Sequence, residues 1–323
     1  MHIPDGLMDP AVAAIGMAEF VIVLGAVFML ARKSLREKDL PRVAILSAAI
    51  FVAQMVNFPI GGGTTGHLIG AALFAILAGP MLAMVGMTVV LIIQALMFGD
   101  GGITAFGLNA LNMAIIAPLT GWGVFSLLDE IIGKNLKSGR LIAVGIASWA
   151  SVFLAACAAA AELAVSFAIS GGDFGIAATI SIPAMLGYHA VIGVGEAIIA
   201  SGVIAYVWHV SPEFFIRGLR PAESRHGWIG ILTSTPAKAA FAVLFVFALV
   251  VPLYFLYASE GADGLEQTIA EAGIEEGDQV LAAPFGYGET YFGMFFAGLL
   301  GFVVVALLAL SILRIFRRTQ FKS

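Results

Sequence analysis

The sequence predicts an all-α membrane protein with about nine transmembrane helices. One reason is composition: 60% of the 323 residues are hydrophobic and only 11% are charged, whereas soluble domains carry about 25% charged residues. A second is that several apolar runs reach the roughly 20 residues that cross a bilayer. In lipid a backbone must satisfy its own hydrogen bonds, so these runs form helices. A third is that the Lys and Arg residues occupy only alternate boundaries between the runs.

The predicted spans follow the apolar runs in chain order. They are residues 11–31, 43–58, 67–79, 81–98, 103–128, 141–169, 178–208, 237–258 and 290–313. The third is short and lies between Gly61-Gly62-Gly63 and Gly79-Pro80. It is predicted to be either a short span or part of a broken helix, which a membrane tolerates only inside protein.

The basic residues predict the orientation of the chain. All 16 fall between segments one and two, between five and six, between seven and eight or at the entry to eight, and after segment nine. Short loops rich in Lys and Arg stay in the cytoplasm, so an outer N-terminus and a cytoplasmic C-terminus put all 16 on one side. The first basic residue is Arg32, which argues against a cleaved signal peptide. Residues 1–10 are therefore expected to form a free outer tail.

Two parts of the chain are predicted, residues 1–228 and residues 229–323. In the second part, one helix lies on each side of residues 259–289, an external stretch with eight Asp or Glu residues and no Lys or Arg. The sequence contains no phosphate-binding loop, zinc-protease motif or nucleophile elbow. Cys157 is the single cysteine and can form no intrachain disulfide. We therefore predict no enzyme, no bound cofactor and no nucleic-acid partner.

The first residues, Met1-His2-Ile3-Pro4-Asp5-Gly6, predict a metal site. Met1 is expected to be retained, because aminopeptidase removes it only before a small residue and His2 is large. The α-amine, the amide nitrogen of His2 and the Nδ1 atom of His2 can then close two fused chelate rings in one plane. Ni²⁺ and Cu²⁺ suit such tetragonal nitrogen sites. The alternative is that His2 is a disordered tail residue.

A fourth planar ligand is expected from His67. It follows Gly61-Gly62-Gly63-Thr64-Thr65-Gly66, which we interpret as a flexible loop on the outer side, where the tail also lies. The alternative for His67 is a helix-start residue bonded to backbone. Ligating imidazoles usually donate their second N–H to an acceptor, and the polar candidates for orienting the site are Asn57, Gln94 and Asn112. Each of these could instead cap a helix or pair between helices.

Acidic residues inside the spans are few, namely Glu19, Glu162 and Glu196, and His189 is the other intramembrane histidine besides His67. Such residues are functional candidates by default. His189 and Glu196 lie seven residues apart on one helical face, where a packed His–Glu or His–backbone hydrogen bond is the favoured interpretation. No paired carboxylates for proton coupling are predicted, which argues against a stand-alone secondary permease.

Three motifs resemble one protein family. They are Met1-His2-Ile3-Pro4-Asp5-Gly6, Asn57-Phe58-Pro59 leading into Gly62-Gly63-Thr64-Thr65-Gly66-His67-Leu68, and Phe98-Gly99-Asp100-Gly101-Gly102. Over residues 1–228 the chain resembles the substrate-binding M component of nickel/cobalt energy-coupling-factor (ECF) ABC transporters. Residues 229–323 resemble the small N component of the same systems, fused on. The Pro-Asp-Gly-Leu-Glu motif of that component corresponds to Ala262-Asp263-Gly264-Leu265-Glu266, without its proline.

The resemblance implies a metal-capturing bundle of seven helices followed by a two-helix module. It implies that Met1, His2 and His67 bind a divalent metal outside the plasma membrane of a prokaryote. The metal is the transported substrate, and Gly-Thr-Thr-Gly-His resembles the nickel branch, with cobalt as the alternative. The implied partners are a transmembrane T component and two cytoplasmic ATPases. A third possibility is an ECF capture unit for an organic vitamin, which would have an aromatic pocket and no need of a chelating N-terminus.

A contact surface for the T component is expected on the second segment. The pairs Ala44/Ala48 and Ala49/Ala53 have the small-xxx-small spacing that lets helices approach closely. Small residues are also common in membrane helices for other reasons, so this spacing alone does not define the contact.

Overall fold

The structure is a computed structural model of the whole chain. It describes residues 1–34, 37, 39–61, 64–133, 137–210, 244–245, 248–249, 261–275, 279–288 and 290–318. The predicted eighth segment, 237–258, therefore lies almost entirely outside the described residues.

Nine helices and one β-hairpin occur within the described residues. The helices are α1 Pro10–Ser34, α2 Asp39–Gln54, α3 Ala71–Ala78, α4 Pro80–Phe98, α5 Phe106–Gly133, α6 Lys137–Ser170, α7 Ala178–Val210, α8 Gly264–Glu271 and α9 Tyr291–Arg318. Six of them, α1, α4, α5, α6, α7 and α9, are long and apolar enough to cross a membrane. The mostly helical fold and the membrane class are as predicted.

The third predicted segment is a broken helix rather than a full span. α3 has only eight residues, about 12 Å at 1.5 Å per residue, which is less than half of a hydrocarbon core about 30 Å thick. The break lies at Gly79, whose φ of 86° is left-handed, and Pro80 then begins α4. Residues Ala71 to Leu77 are all buried, so the short helix is surrounded by protein as a broken helix must be.

The segment before α3 is a β-hairpin, which the sequence analysis missed. β1 Asn57–Gly61 pairs antiparallel with β2 Thr64–His67, and Asn57 lies opposite His67. The end of the second predicted span and the expected flexible loop are thus partly strand. A Cβ atom on Gly66 would lie 2.5 Å from the Ile192 side chain, so glycine at this position lets the hairpin pack closely against α7.

α9 packs along α2 and covers part of the surface that was expected to meet a partner. Ala44 is 4% exposed and Ala48 is fully buried, in a cluster that includes Phe302, Val305 and Ala309 of α9. The small residues do allow close helix approach, but the helix that approaches is part of the same chain. Ala44 and Ala48 are therefore corrected to intrachain contacts. Ala49 and Ala53 are half-buried and remain a prediction.

The two ends of α6 mark two different ends of the bundle. Near its start, Arg140 forms an ion pair of 2.6 Å with Asp129 and lies 5.0 Å from the centre of the Trp208 ring. Near its other end, Ser166 accepts a hydrogen bond of 2.7 Å from the backbone N–H of Asp9. The 26 residue steps from Arg140 to Ser166 correspond to about 40 Å of helix. The N-terminal tail and the basic residue Arg140 are thus far apart.

Candidate metal centre

The first residues of the chain are packed into the bundle, which corrects the expectation of a free outer tail. Met1 is 2% exposed and Ile3 is fully buried. Asn109 of α5 holds Ile3 by two hydrogen bonds, accepting from its N–H at 2.8 Å and donating to its carbonyl at 3.0 Å. Gly102 N–H donates to the same carbonyl at 2.8 Å. A Cβ atom on Gly102 would lie 2.6 Å from the Pro4 carbonyl carbon, so only glycine fits beside the tail.

Asp5 fastens the tail to both parts of the chain. Its Oδ1 atom accepts hydrogen bonds from the N–H and the hydroxyl of Thr104 at 2.8 and 2.7 Å. Its Oδ2 atom accepts from the N–H of Val280 at 3.0 Å. Burial raises the pKa of Asp5, but these hydrogen bonds outweigh it and leave the pKa below its usual value. The carboxylate is therefore ionised, and the chain turns directly after it at Gly6, where φ is 78°.

Met1, His2 and His67 come together, as the sequence analysis predicted. The rings of His2 and His67 are stacked, with 5.2 Å between their centres. Burial lowers the pKa of His67 to about 4, with the Met1 amine and His2 adding to the effect, and burial also lowers the pKa of His2. Both imidazoles are therefore neutral at pH 7, the form that binds metals. The Nδ1 atom of His67 lies 3.2 Å from the Leu68 carbonyl. This contact leaves Nε2 as the ring nitrogen that could bind a metal.

Two carboxylates also lie at this cluster, and sequence reasoning gave neither a role. The Oδ2 atom of Asp263 is 3.1 Å from the Met1 amine and 3.7 Å from His67 Nε2. Burial raises the pKa of Asp263, but the amine and His67 outweigh it and hold the pKa well below its usual range. The Oδ1 atom of Asp100 lies 3.1 Å from His2 Nδ1. The available signal was that both aspartates lie within the motifs that carried the family resemblance.

Asp100 is itself held from the C-terminal part of the chain. Its Oδ2 atom accepts a hydrogen bond of 2.7 Å from the hydroxyl of Tyr287. Burial, and then the charge of Asp100, raise the pKa of Tyr287 well above its usual value, so the phenol keeps its proton. The segment around Tyr287 also meets the last turn of α4, where Phe285 N–H donates to the Met97 carbonyl at 3.0 Å. Asp263 and Tyr287 thus bring the C-terminal part of the chain to the cluster of Met1, His2 and His67, Tyr287 through Asp100.

The three polar residues expected to orient the site have different positions. Gln94 is fully buried, interacts with the His2 imidazole and donates to Gln54 at 2.7 Å. Asn57 lies opposite His67 in the hairpin. Asn112 donates to Glu162 at 2.7 Å instead. Gln94 and Asn112 lie in π-helical turns, Gln94–Phe98 and Leu111–Ile116, a geometry that often occurs at functional sites.

His189 and Glu196 are each bonded to backbone, in line with the favoured interpretation. The Nδ1 atom of His189 lies 2.8 Å from the Met185 carbonyl. The two oxygens of Glu196 accept from the N–H groups of Ile69 and Gly70, each at 2.7 Å, and so hold the chain just after His67. His189 also lines a small cavity together with Met1, His67, Ile69, Ile192 and Asp263.

Side chains alone do not account for a metal site here. Within the described residues, no group of three or more His, Cys, Asp or Glu side chains is arranged to hold a metal ion. The nitrogen donors at this cluster include two imidazoles and two main-chain atoms, the Met1 amine and the His2 amide. The fold and the site therefore define a multi-pass helical membrane protein with a buried nitrogen-rich cluster formed by its own N-terminus and His67.

Comparison with known proteins identifies the family. Residues 2–214 match the family described as the cobalt uptake substrate-specific transmembrane region, and the chain belongs to this family. A protein of Archaeoglobus fulgidus, assigned as a fused nickel transport protein NikMN, is 34% identical over 97% of this chain and 98% of its own length. The fused nickel transport protein NikMN of Rhodobacter capsulatus is 38% identical over 72% of this chain and 69% of its own length.

A solved structure supports the same assignment. The crystal structure of a transition metal transporter is 38% identical, has a TM-score of 0.60, and is covered over 97% of its length by 68% of this chain. The chain is therefore a multi-pass protein of the cell membrane, and about two thirds of it share the fold of a solved metal transporter. The match to the Archaeoglobus protein extends over the C-terminal part as well.

Proposed function

We propose that the chain is the substrate-binding component of an ECF-type transporter that captures Ni²⁺ outside the cell, with Co²⁺ as the next candidate. The observation that carries the proposal is the burial of the Met1 amine, His2 and His67 in one cluster. The relatives named as fused nickel transport proteins support nickel as the cargo. The metal is a transported substrate rather than a resident cofactor.

The proposed ligands are the amine of Met1, the amide nitrogen and Nδ1 of His2, and Nε2 of His67. Four nitrogens in a plane suit Ni²⁺ better than Co²⁺, which stands below nickel in the general order of affinity. Cu²⁺ stands higher, so its low availability contributes to selectivity. Binding through Nδ1 requires His2 to exchange its contact with Asp100 for the metal, because both involve the same atom.

The proposed orientation has the N-terminus outside, the C-terminus in the cytoplasm and nine membrane segments in total, with the segment that contains the short α3 counted as one crossing. The one-sided distribution of all 16 Lys and Arg residues supports it. Further support comes from the distance of about 40 Å along α6 between Arg140 and the end of the bundle that holds the tail. The ligand cluster then faces outward, as capture from outside requires.

The proposed partners are a transmembrane T component and two cytoplasmic ATPases. The chain has no phosphate-binding loop of its own, so energy from ATP must be supplied by other subunits. Since α9 covers Ala44 and Ala48, the T component would meet another surface, for which Ala49 and Ala53 remain candidates.

A second candidate function is a stand-alone secondary permease, and one observation favours it. Glu162 of α6 lies close enough to Glu19 of α1 to interact with it electrostatically, and Asn112 donates to Glu162. Two neighbouring carboxylates within spans can carry protons, and the sequence analysis did not predict such a pair. Metal uptake in cells without the ATPase subunits would support the permease; its dependence on them would support the ECF component.

The test of the proposed function compares the native N-terminus with one that carries a single added residue. The addition converts the Met1 amine into an amide and leaves His2 in the chain, so a site made only of side chains would survive it. We expect Ni²⁺ affinity, measured by calorimetry, to fall by more than about 100-fold, beyond the usual range for lost supporting groups. His67→Ala should abolish binding as well. Equal affinity for native and extended protein would refute the proposed ligand set.

A further inference from the structure

The carboxylate of Asp263 has two distinct contacts, one for each oxygen. Its Oδ1 atom accepts from the N–H groups of Leu265 and Glu266 at 2.7 and 2.9 Å and so caps the first turn of α8. Its Oδ2 atom faces the Met1 amine at 3.1 Å and His67 Nε2 at 3.7 Å. The helix therefore fixes one oxygen of the carboxylate and thereby sets the position of the other.

The segment that carries Asp263 is itself held on both sides. Glu266 accepts from the Asp263 N–H at 2.7 Å, which completes a capping box. Thr65 of the hairpin donates from its N–H to the Ala262 carbonyl at 3.0 Å and from its hydroxyl to the Gly261 carbonyl at 2.8 Å. Because Thr65 is two residues from His67, the same strand carries a proposed ligand and holds the aspartate.

Glycine at position 264 allows this close approach. A Cβ atom there would lie 2.9 Å from the Cε1 atom of His189 and 3.0 Å from the Cβ atom of Tyr188. A larger residue would move the start of α8 away from α7, and Asp263 with it. The position of the carboxylate thus depends on close backbone packing at Gly264 and not only on electrostatic interactions.

An α-amine that binds a metal through its lone pair keeps two N–H bonds. One of these N–H bonds can donate to Asp263 Oδ2, which accepts a hydrogen bond from the Met1 amine in this structure as well. Such an acceptor orients the amine and makes it a stronger donor, and supporting groups of this kind typically contribute about 10- to 100-fold in metal affinity. The negative charge also offsets the charge of the bound cation in a place with little water.

We propose that Asp263 of the C-terminal part is a positioning residue of the metal site, which aligns the Met1 amine and balances the charge of the metal without binding it directly. The proposal rests on the proposed function and adds a defined role for residues 261–275. Asp263 lies close to the proposed ligands although it follows His67 by almost 200 residues in the sequence.

The main variant is Asp263→Asn in the full-length protein. Asparagine caps a helix as well as aspartate does, so α8 keeps its N-cap while the charge is lost. The matched control is Glu275→Gln, which removes a carboxylate from an exposed position of the same segment. We expect the Ni²⁺ affinity of Asp263→Asn to fall about 10- to 100-fold, and that of Glu275→Gln to stay within about twofold of native.

A spectroscopic measurement separates positioning from a general structural role. If Asp263 aligns the amine, the d–d band of the Ni²⁺-loaded Asp263→Asn protein should shift towards that of the protein with an extended N-terminus. Loss of stability alone would leave the band of the loaded fraction unchanged. Gly264→Ala keeps every charge but displaces Asp263, and it should weaken binding in the same direction.

The outcomes distinguish this inference from the proposed function. Native affinity and an unchanged band in Asp263→Asn, or native affinity in Gly264→Ala, would overturn the role of Asp263. If His67→Ala abolishes binding in the same experiments, the proposed ligands remain supported and only the inference fails. If His67→Ala binds Ni²⁺ normally, the proposed function itself fails.

Discussion

Replacement of Asn109 by alanine should weaken metal binding although Asn109 is not a proposed ligand. Its amide makes two hydrogen bonds with the backbone of Ile3, at 2.8 and 3.0 Å, and both residues are at most 3% exposed. Without it the Ile3 N–H has no partner, which costs about 1–3 kcal/mol when the group stays buried. The Ile3 carbonyl keeps its bond from Gly102, so the loss there is a smaller one of about 0.5–1.5 kcal/mol.

Loss of these hydrogen bonds would loosen the Met1 amine and His2, because Ile3 directly follows His2 in the chain. If it acts fully on metal binding, a combined penalty of about 1.5–4.5 kcal/mol corresponds to an affinity lower by about 10-fold to more than about 1,000-fold, at 1.4 kcal/mol for each factor of ten. The assay is calorimetric titration of purified, metal-stripped protein with Ni²⁺. Thermal unfolding without metal would show whether the variant is folded at the temperature of the titration.

The matched control is Asn112→Ala, the same substitution in the same helix. The Asn112 amide contacts Glu162 rather than the tail, so this variant should lose stability but keep Ni²⁺ affinity within about threefold of native. If Asn109→Ala bound Ni²⁺ within about threefold of native affinity, docking of the tail by Asn109 would not be coupled to metal binding. If Asn112→Ala bound Ni²⁺ as weakly as Asn109→Ala, the loss of affinity would not be specific to docking of the tail.

Three further predictions concern orientation, pH and the C-terminal part. The orientation can be tested in a Cys157→Ala background with an impermeant thiol reagent applied to intact cells. The reagent should label a cysteine at position 259 but not one at position 224, since residues 259–289 are predicted to be outside. The reverse pattern would contradict the orientation. Between about pH 6.5, where the imidazole of an unfolded chain titrates, and about pH 4, the pKa of His67, the unfolded state binds more protons than the folded state. The free energy of unfolding of metal-free protein should therefore fall by up to about 3 kcal/mol as the pH is lowered across this range, and denaturation curves of His67→Gln should depend on pH less strongly. Truncation after residue 228 removes Asp263 but no proposed ligand. Folded truncated protein should therefore bind Ni²⁺ about 10- to 100-fold more weakly in the same calorimetric assay. Complete loss of binding would show that a ligand lies in the removed part.

The membrane class could be predicted because it depends on sums over many residues. The low charged fraction, the long apolar runs and the basic residues all point in the same direction, and no single residue decides the outcome. Gln54 and Asn57 show the limit of this reasoning. α2 ends at Gln54 and a strand begins at Asn57, yet both lie at the end of an apolar stretch whose composition does not distinguish a helix from a short strand.

The proposed ligands could be predicted because their chemistry is local. A histidine at position 2 and a free amine form chelate rings whatever the rest of the chain does. The surrounding residues depend on tertiary contacts instead, and sequence distance hides them. Asn109 lies 106 residues from Ile3, and Asp263 lies 262 residues from Met1. An asparagine within an apolar run and an aspartate within a family motif were the visible signs, but neither pattern could say which groups these side chains contact.

Order in the tail has a consequence for affinity. Fixing the backbone of residues 1–5 costs roughly 5–10 kcal/mol, at about 1–2 kcal/mol per residue. Burial of the side chains of Met1 and Ile3 returns about 1.5–3 kcal/mol each, and the six hydrogen bonds to Ile3 and Asp5 return about 1 kcal/mol each. The fold can therefore order the tail before a metal arrives, so that little of the free energy of metal binding is spent on ordering the ligands. The proposed ligands, which would be flexible in a short peptide, lie on a tail that this bundle has already ordered.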